Sequence, residues 1–178
     1  MRIISGKYRG LVLAEFKGYD IRPTADRVKE SLFNILYDKC ADASVLDLFC
    51  GSGNLGIECI SRGAKNVHFN DISRESVAVL KKNLSRLRNE NNYSITVGDY
   101  LSCLQSTASR YDLIFIDPPY AFDFGIPALE TIEQRQLLTD VGVAVYERDR
   151  AFEGVIDGLE LYDERKYGKT YLSFFRKK

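Results

Sequence analysis

Val45-Leu46-Asp47-Leu48-Phe49 runs into Cys50-Gly51-Ser52-Gly53-Asn54-Leu55-Gly56, and the reading of this stretch decides the fold. Val45–Phe49 is a short apolar run of strand length that ends on a glycine turn. Leu55–Ser61 then carries a helical pattern, stopped by Gly63. Working outward, the alternation repeats. Lys65–Asn70 reads as a second strand. Ser73 caps a long helix with Val77, Leu80, Leu84 and Leu87 on one face. Ser94–Val97 is a third strand and Leu113–Ile116 a fourth. Ala128–Leu138 is helical, Val141–Tyr146 is a fifth strand, and Leu159–Tyr162 and Thr170–Phe175 form a closing pair. Ahead of the turn, residues 2–5 and 11–16 read as two short strands joined by Gly6-Lys7-Tyr8-Arg9-Gly10. Thr24 reads as the cap of a helix from Ala25 to about Tyr37, with Val28, Leu32, Ile35 and Leu36 on one face. Strands alternating with helices predict an α/β fold, a mostly parallel sheet covered on both faces. Such sheets bind ligands beyond the carboxyl ends of their strands.

Composition narrows the class. The 178 residues are 45% hydrophobic and 28% charged, as in an ordinary globular protein. One domain is expected over 1–178, with 1–40 as an N-terminal hairpin and helix extension and 41–178 as the core. No apolar run is long enough to span a membrane, and the first residues lack the pattern of a signal peptide. The four cysteines form no C-x-x-C pair, and with His68 alone to help they make a poor zinc site. No metal is expected. Free thiols without an export signal point to a reducing cytoplasm. The 25 Lys/Arg and 25 Asp/Glu cancel, which argues against coating nucleic acid by bulk charge. The charge is nevertheless uneven. Residues 1–39 hold 8 basic and 5 acidic side chains, residues 40–163 hold 11 and 19, and residues 164–178 hold 6 and 1. Basic ends around an acidic middle suit an anionic partner.

Gly51-Ser52-Gly53-Asn54-Leu55-Gly56 satisfies G-x-G-x-x-G between a strand and a helix, and Asp71 closes the second strand 20 residues after Gly51. Glycines there let a nucleotide approach the backbone, and the carboxylate can accept both hydrogen bonds of a ribose diol. A nicotinamide cofactor would use the turn for its pyrophosphate. S-adenosylmethionine has an ammonium instead, for which Asp47 is a suitable partner.

The fourth strand runs directly into Asp117-Pro118-Pro119-Tyr120. Two prolines fix two φ angles and remove two N–H donors, so the Asp117 carboxylate and the Pro118 carbonyl form a rigid acceptor pair. That pair suits an exocyclic amino group, whose lone pair is delocalised into its ring. Gripping the N–H groups turns the nitrogen toward an incoming methyl, and Asp117 can take the proton. Tyr120 offers a face on which a base stacks, worth about 1–3 kcal/mol.

Phe-x-Gly-x-Gly followed by Asp-Pro-Pro-Tyr resembles amino-group N-methyltransferases that use S-adenosylmethionine. The block Arg22-Pro23-Thr24-Ala25-Asp26-Arg27-Val28-Lys29-Glu30-Ser31-Leu32-Phe33-Asn34, then Asp47–Glu58, then Ser61-Arg62-Gly63-Ala64, is similar to the RsmD family of bacterial 16S rRNA (guanine-N2) methyltransferases. The opening Arg2–Gly10 and the late Tyr167-Gly168 fit as well, so the resemblance covers essentially the whole chain. It implies a Rossmann-like seven-stranded sheet behind an N-terminal hairpin and helix. It implies S-adenosyl-L-methionine as donor, the N2 amine of guanine 966 of 16S rRNA as acceptor, and an assembled or assembling 30S subunit as partner, with the enzyme a monomer. Matched motif by motif, Asp47, Phe49, Gly51, Ser52, Gly53, Asp71, Ile72 and Asp99 would bind the cofactor. Asp117, Pro118, Pro119 and Tyr120 would be catalytic. Arg22, Thr24, Arg27 and Phe122 would meet the substrate. Asp71 stands where the family's pattern has Glu, and Ser73 where an Asp is common.

Phosphate contacts are expected from Arg2, Lys7, Arg9, Arg22, Arg27 and Lys29 near one end and from Lys166 and Lys169 near the other. His68, inside a strand, reads as structural, and the cysteines as small buried residues. Phe122 and Phe124 either shape the base pocket or cover the core. Three other readings stay open: methylation of adenine N6 or a protein amide, a nicotinamide-dependent oxidoreductase, and a non-catalytic ribosome-assembly factor that keeps the cofactor fold.

Overall fold

The structure, a computed structural model, describes residues 1–15, 23–88, 90–119 and 123–178, with residues 23–25 by backbone alone. Twelve elements follow one another: α1 (Pro23–Ile35), β1 (Ser44–Asp47), α2 (Asn54–Ser61), β2 (Asn66–Asp71), α3 (Arg74–Leu84), β3 (Tyr93–Val97), α4 (Tyr100–Ser106), β4 (Tyr111–Ile116), α5 (Gly125–Gln134), β5 (Leu138–Arg148), β6 (Leu159–Tyr167) and β7 (Thr170–Lys177). The seven strands form one sheet in the order β3-β2-β1-β4-β5-β7-β6. β1 to β5 are parallel, and β7 joins β5 and β6 antiparallel. This is the α/β Rossmann-like methyltransferase fold. The order reverses between β1 and β4, so the switch point lies where the glycine turn and Asp117 emerge.

Both faces of the sheet are covered because the central strands are apolar on both sides. Val45, Leu113, Phe115, Val143 and Val145 pack with α1, α2 and α3, through Phe33, Ile57 and Leu80. Leu46, Ile114, Ile116, Ala144 and Tyr146 pack with α4 and α5, through Leu104 and Leu129. Neighbouring strand residues thus part to opposite cores, as the pleat requires.

Gly56 sets how closely α2 lies on the sheet, since a Cβ there would sit 2.2 Å from Cε1 of Phe69. Gly56→Ala gains about 1 kcal/mol of helix propensity but overpacks the core by about 1–3 kcal/mol. The variant is expected to unfold at lower urea concentration than the parent, despite the better helix former.

Several boundaries differ from those the sequence predicts, for local reasons. The N-terminal strands are reduced to a single bridge, Arg2 with Val12. Ile3 N–H donates to Leu11 O (3.0 Å), Gly10 N–H to Ile3 O (2.8 Å) and Leu13 N–H to Met1 O (3.0 Å), while the loop between them turns to α2: Lys7 N–H donates to Ser61 O (2.8 Å), Tyr8 N–H to Ser61 Oγ (3.0 Å), and Ser61 Oγ to Ser5 O (2.6 Å). Gly6 permits this approach, for at φ 81° any Cβ would lie 1.8 Å from Ser61 O. The first helix starts at Pro23, whose fixed φ suits a first helical position, so Thr24 lies within the helix and is not its cap. The helix expected to reach Leu138 ends at Gln134. Gln136 takes a φ of 53°, and Leu138 opens β5, so the apolar run 137–138 belongs to turn and strand. The short helix α4, absent from the sequence reading, is capped by Asp99.

Candidate active site at the carboxyl edge of the sheet

Register places the expected acids along one edge. Asp47 pairs with Phe69 on β2 and with Phe115 on β4, and Asp71 pairs with Val97 on β3. Asp71, the glycine turn, Asp117 and Asp99 therefore emerge together past the strand ends.

The turn is held by its own acids. Gly51 N–H donates to Asp71 Oδ2 (2.8 Å), and Ser73 N–H to Asp71 Oδ1 (2.8 Å). Gly56 N–H donates to Asp47 Oδ2 (2.9 Å). Gly51 has a φ of 53°, and nothing lies within 4 Å of where its Cβ would be. A ligand could occupy that space. Ser52 O accepts from Asn83 Nδ2 (2.9 Å). Beside Asp71, Ile72 leaves 72% of its surface exposed, an apolar face at a sheet edge. Asp99 caps α4, its Oδ1 accepting from Leu101 and Ser102 N–H (3.0 and 3.1 Å). Phe49 lies in an aromatic trio with Tyr100 (5.2 Å) and Phe124 (6.3 Å, parallel rings) beneath the edge. Phe124 packs against the core and is half-buried.

Asp47 is only 2% exposed, and burial raises its carboxyl to about 7, against the Gly56 N–H, which favours the ion. A carboxyl raised by folding contributes full stability below its unfolded pKa and loses it as pH climbs to the folded value. Asp47→Asn keeps an oxygen for Gly56 but cannot ionise. Its stability relative to the parent is expected to rise between about pH 4 and 7, by on the order of 4 kcal/mol. Urea unfolding at pH 5 and pH 8 checks this.

Asp117 follows β4 at the exposed edge of the sheet, with protein packed behind its carboxyl, while Pro118 is buried. Desolvation by the surrounding protein, then the charges of Glu147 and Asp47, hold the Asp117 carboxyl well above the usual carboxylate range. Glu147 is its neighbour because Ile116 pairs with Tyr146, so both chains step past that pair side by side. Arg22, Tyr120 and Phe122 lie outside the described residues. Arg27 is exposed on α1.

One expected phosphate contact is elsewhere. Lys29 is 2% exposed and pairs with Glu58 (2.9 Å), itself fully buried. Glu58 also accepts from Ile4 and Ser5 N–H (2.8 and 3.0 Å) and from Arg62 Nε (2.9 Å). Lys29 is a structural cation that ties α1 to α2. Lys7 meets Glu90 (2.7 Å) at the surface. His68 is structural, between Tyr111 Oη (2.9 Å) and Thr96 Oγ1 (2.8 Å), and all four cysteines are buried.

Supporting residues escaped the sequence reading. Asn70 Nδ2 donates to Leu48 O and Gly98 O, binding three strand ends together, and Asn83 bridges Ser52 to Ala14. Their signal was a polar residue inside an otherwise apolar strand or helix face.

The model of a family described as Conserved hypothetical protein 95 matches residues 1–176. The chain belongs to this family, the RsmD family. Within it, YlbH of Bacillus subtilis is 34% identical over 183 residues, with all of both chains covered. Ribosomal RNA small subunit methyltransferase D of Haemophilus influenzae is 37% identical over 136 residues, 74% of this chain and 70% of that one. The solved structure of yhhF from Escherichia coli superposes with a TM-score of 0.90 at 30% identity, covering 100% of this chain and 98% of that one. Of the motifs that carry the resemblance, the glycine turn and Asp117-Pro118-Pro119 lie on that edge, whereas Arg2–Gly10 and Ser61–Ala64 meet at the far end of α2.

Proposed function

We propose that this protein transfers a methyl group from S-adenosyl-L-methionine to the exocyclic N2 amine of a guanine in 16S rRNA, at position 966, within the small ribosomal subunit. The observation that carries this reading is the placement of Asp117 at the end of β4, one strand from the glycine turn at the end of β1. The names of the relatives support rRNA as the substrate class.

The residues at the turn fit the donor. The open space at Gly51 admits a ligand against the backbone, and Ile72 offers an apolar face beside the Asp71 carboxylate. Asp71 has lone pairs beyond those its two backbone donors use, which suits a ribose diol. Asp99 caps α4 through Oδ1 alone, and its other oxygen would accept from the adenine amine. Asp47 favours a cation nearby, and such a cation in turn favours its ionised form. The donor supplies an electrophilic methyl on a positively charged sulfur.

The chain's own residues do the rest. The flipped guanine costs a few kcal/mol to unstack. Asp117 and the Pro118 carbonyl accept its N2 hydrogens and turn the nitrogen lone pair toward the methyl. The N–C bond forms as the C–S bond breaks, and the N2 proton passes to the Asp117 carboxylate or to water. Positioning supplies most of the acceleration. Basic residues at the chain ends, Arg2, Arg9, Lys166 and Lys169, are suited to phosphate.

Tritiated methyl transfer to small-subunit particles that lack the modification tests this. Label recovered on N2-methylguanosine supports the reading. Label on N6-methyladenosine or on protein, or no label with the donor bound, overturns it.

A further inference from the structure

Arg148, the last residue of β5, carries two guanidinium nitrogens that no described residue satisfies. Its side chain is 5% exposed, and Nε and Nη1 are buried without a hydrogen-bond partner. It lies over the rings of Tyr146 (5.2 Å) and Phe152 (5.5 Å). Ring faces stabilise the cation but accept no hydrogen bond in the guanidinium plane. Buried polar groups normally find a partner, and an unmet charged donor is costly. The acids nearby are committed or turned away. Asp123 accepts from Tyr146 Oη (3.4 Å) and Arg150 (3.2 Å). Glu147 is the adjacent strand residue and projects to the opposite face of the sheet.

The position says whose anion it is. The glycine turn follows β1, Asp117 follows β4, and Arg148 ends β5. Strands lie about 4.8 Å apart, so the Arg148 backbone is two strands from the turn and beyond Asp117 in strand order, with its side chain on the Tyr146 face of the sheet. The donor's end of the edge is the other one.

We propose that Arg148 binds a backbone phosphate of the acceptor strand, next to the nucleotide that is methylated. Planar donors of this kind match phosphate oxygens, and the tyrosine and phenylalanine hold the guanidinium in place before the strand arrives. The proposal rests on the RNA reading given above and adds the residue that grips the strand.

The test compares the parent, Arg148→Met, Arg148→Gln and Arg148→Lys in binding to unmodified small-subunit particles over a series of salt concentrations, with donor affinity and thermal midpoint measured in parallel. In the methionine and glutamine variants, affinity is expected to fall about tenfold or more, and the log–log salt slope to shrink by about 0.7–0.9, the share of one phosphate. The lysine variant retains the slope, and donor affinity is unchanged in all four proteins. Unchanged affinity and slope, with only the thermal midpoint moved, overturns the proposal and makes Arg148 a packing residue. If the parent itself neither binds nor methylates the particles, the functional reading falls too. If the parent does both and the variants match it, only the assignment of Arg148 falls.

Discussion

Asp117→Ala is expected to lower methyl transfer by about 10³-fold while donor affinity stays within a factor of about two. The reason is geometric. The carboxyl stands at the end of β4, on the acceptor side of the glycine turn, and the bonds that shape the turn come from Asp71, Asp47 and Asn83. Removing Asp117 takes one of two acceptors from the amine and the group that takes its proton, a role worth typically 10²–10⁴-fold. The same surroundings that hold this carboxyl high make the parent's rate rise with pH, because only the ionised form accepts both hydrogen bond and proton. The alanine variant loses that pH dependence. Single-turnover rates across pH, with donor binding measured by calorimetry, check both. An alanine variant of near-normal rate would remove Asp117 from the chemistry.

Glu58→Ala is expected to lower stability by about 3–5 kcal/mol, the cost of leaving a buried charge without its partner. Glu58 is fully buried and serves Lys29, Arg62 and the N–H groups of Ile4 and Ser5 at once. For a chain of this size that shifts the thermal midpoint down by roughly 10 °C. Burial already lowers the pKa of Lys29 against the pull of Glu58. Without Glu58, Lys29 is expected to give up its proton more readily, so the variant's deficit narrows at high pH. Calorimetric melts at pH 7 and pH 10 read the size and the trend. A loss below 1 kcal/mol would mean that the ion pair and its backbone bonds add little beyond packing.

The central strands and the glycine turn were legible because the fold there obeys local rules. Val45–Phe49 and Leu113–Ile116 are apolar on both faces, as buried parallel strands must be, and glycines mark the point where chain and ligand would crowd. Ser73 capped α3 as read, with Ser76 N–H on its hydroxyl. The expected edge cluster followed from the strand ends, since parallel register leaves residues two past a paired position level with one another. What escaped depends on distant partners. Lys29 sits on a helix that also bears acids, and periodicity alone made it a surface cation, whereas Glu58 lies 29 residues later in an apolar helix. The first strands stay short, with Met1, Ile3, Gly10, Leu11 and Leu13 sharing three backbone bonds, while residues 5–8 between them are drawn to Ser61, far along the chain. Arg148 escaped for another reason: its rings, Tyr146 and Phe152, are near in sequence, but a charged residue at a strand end reads as solvated.

Asn83 has a consequence for motion. Its amide takes both backbone groups of Ala14 and the carbonyl of Ser52, so one fully buried side chain clasps the N-terminal segment and the glycine turn together. Opening either one breaks bonds of the other, and the two share one cooperative unit of hydrogen exchange. A ligand that orders the turn therefore slows exchange at Ala14, on a segment it never touches.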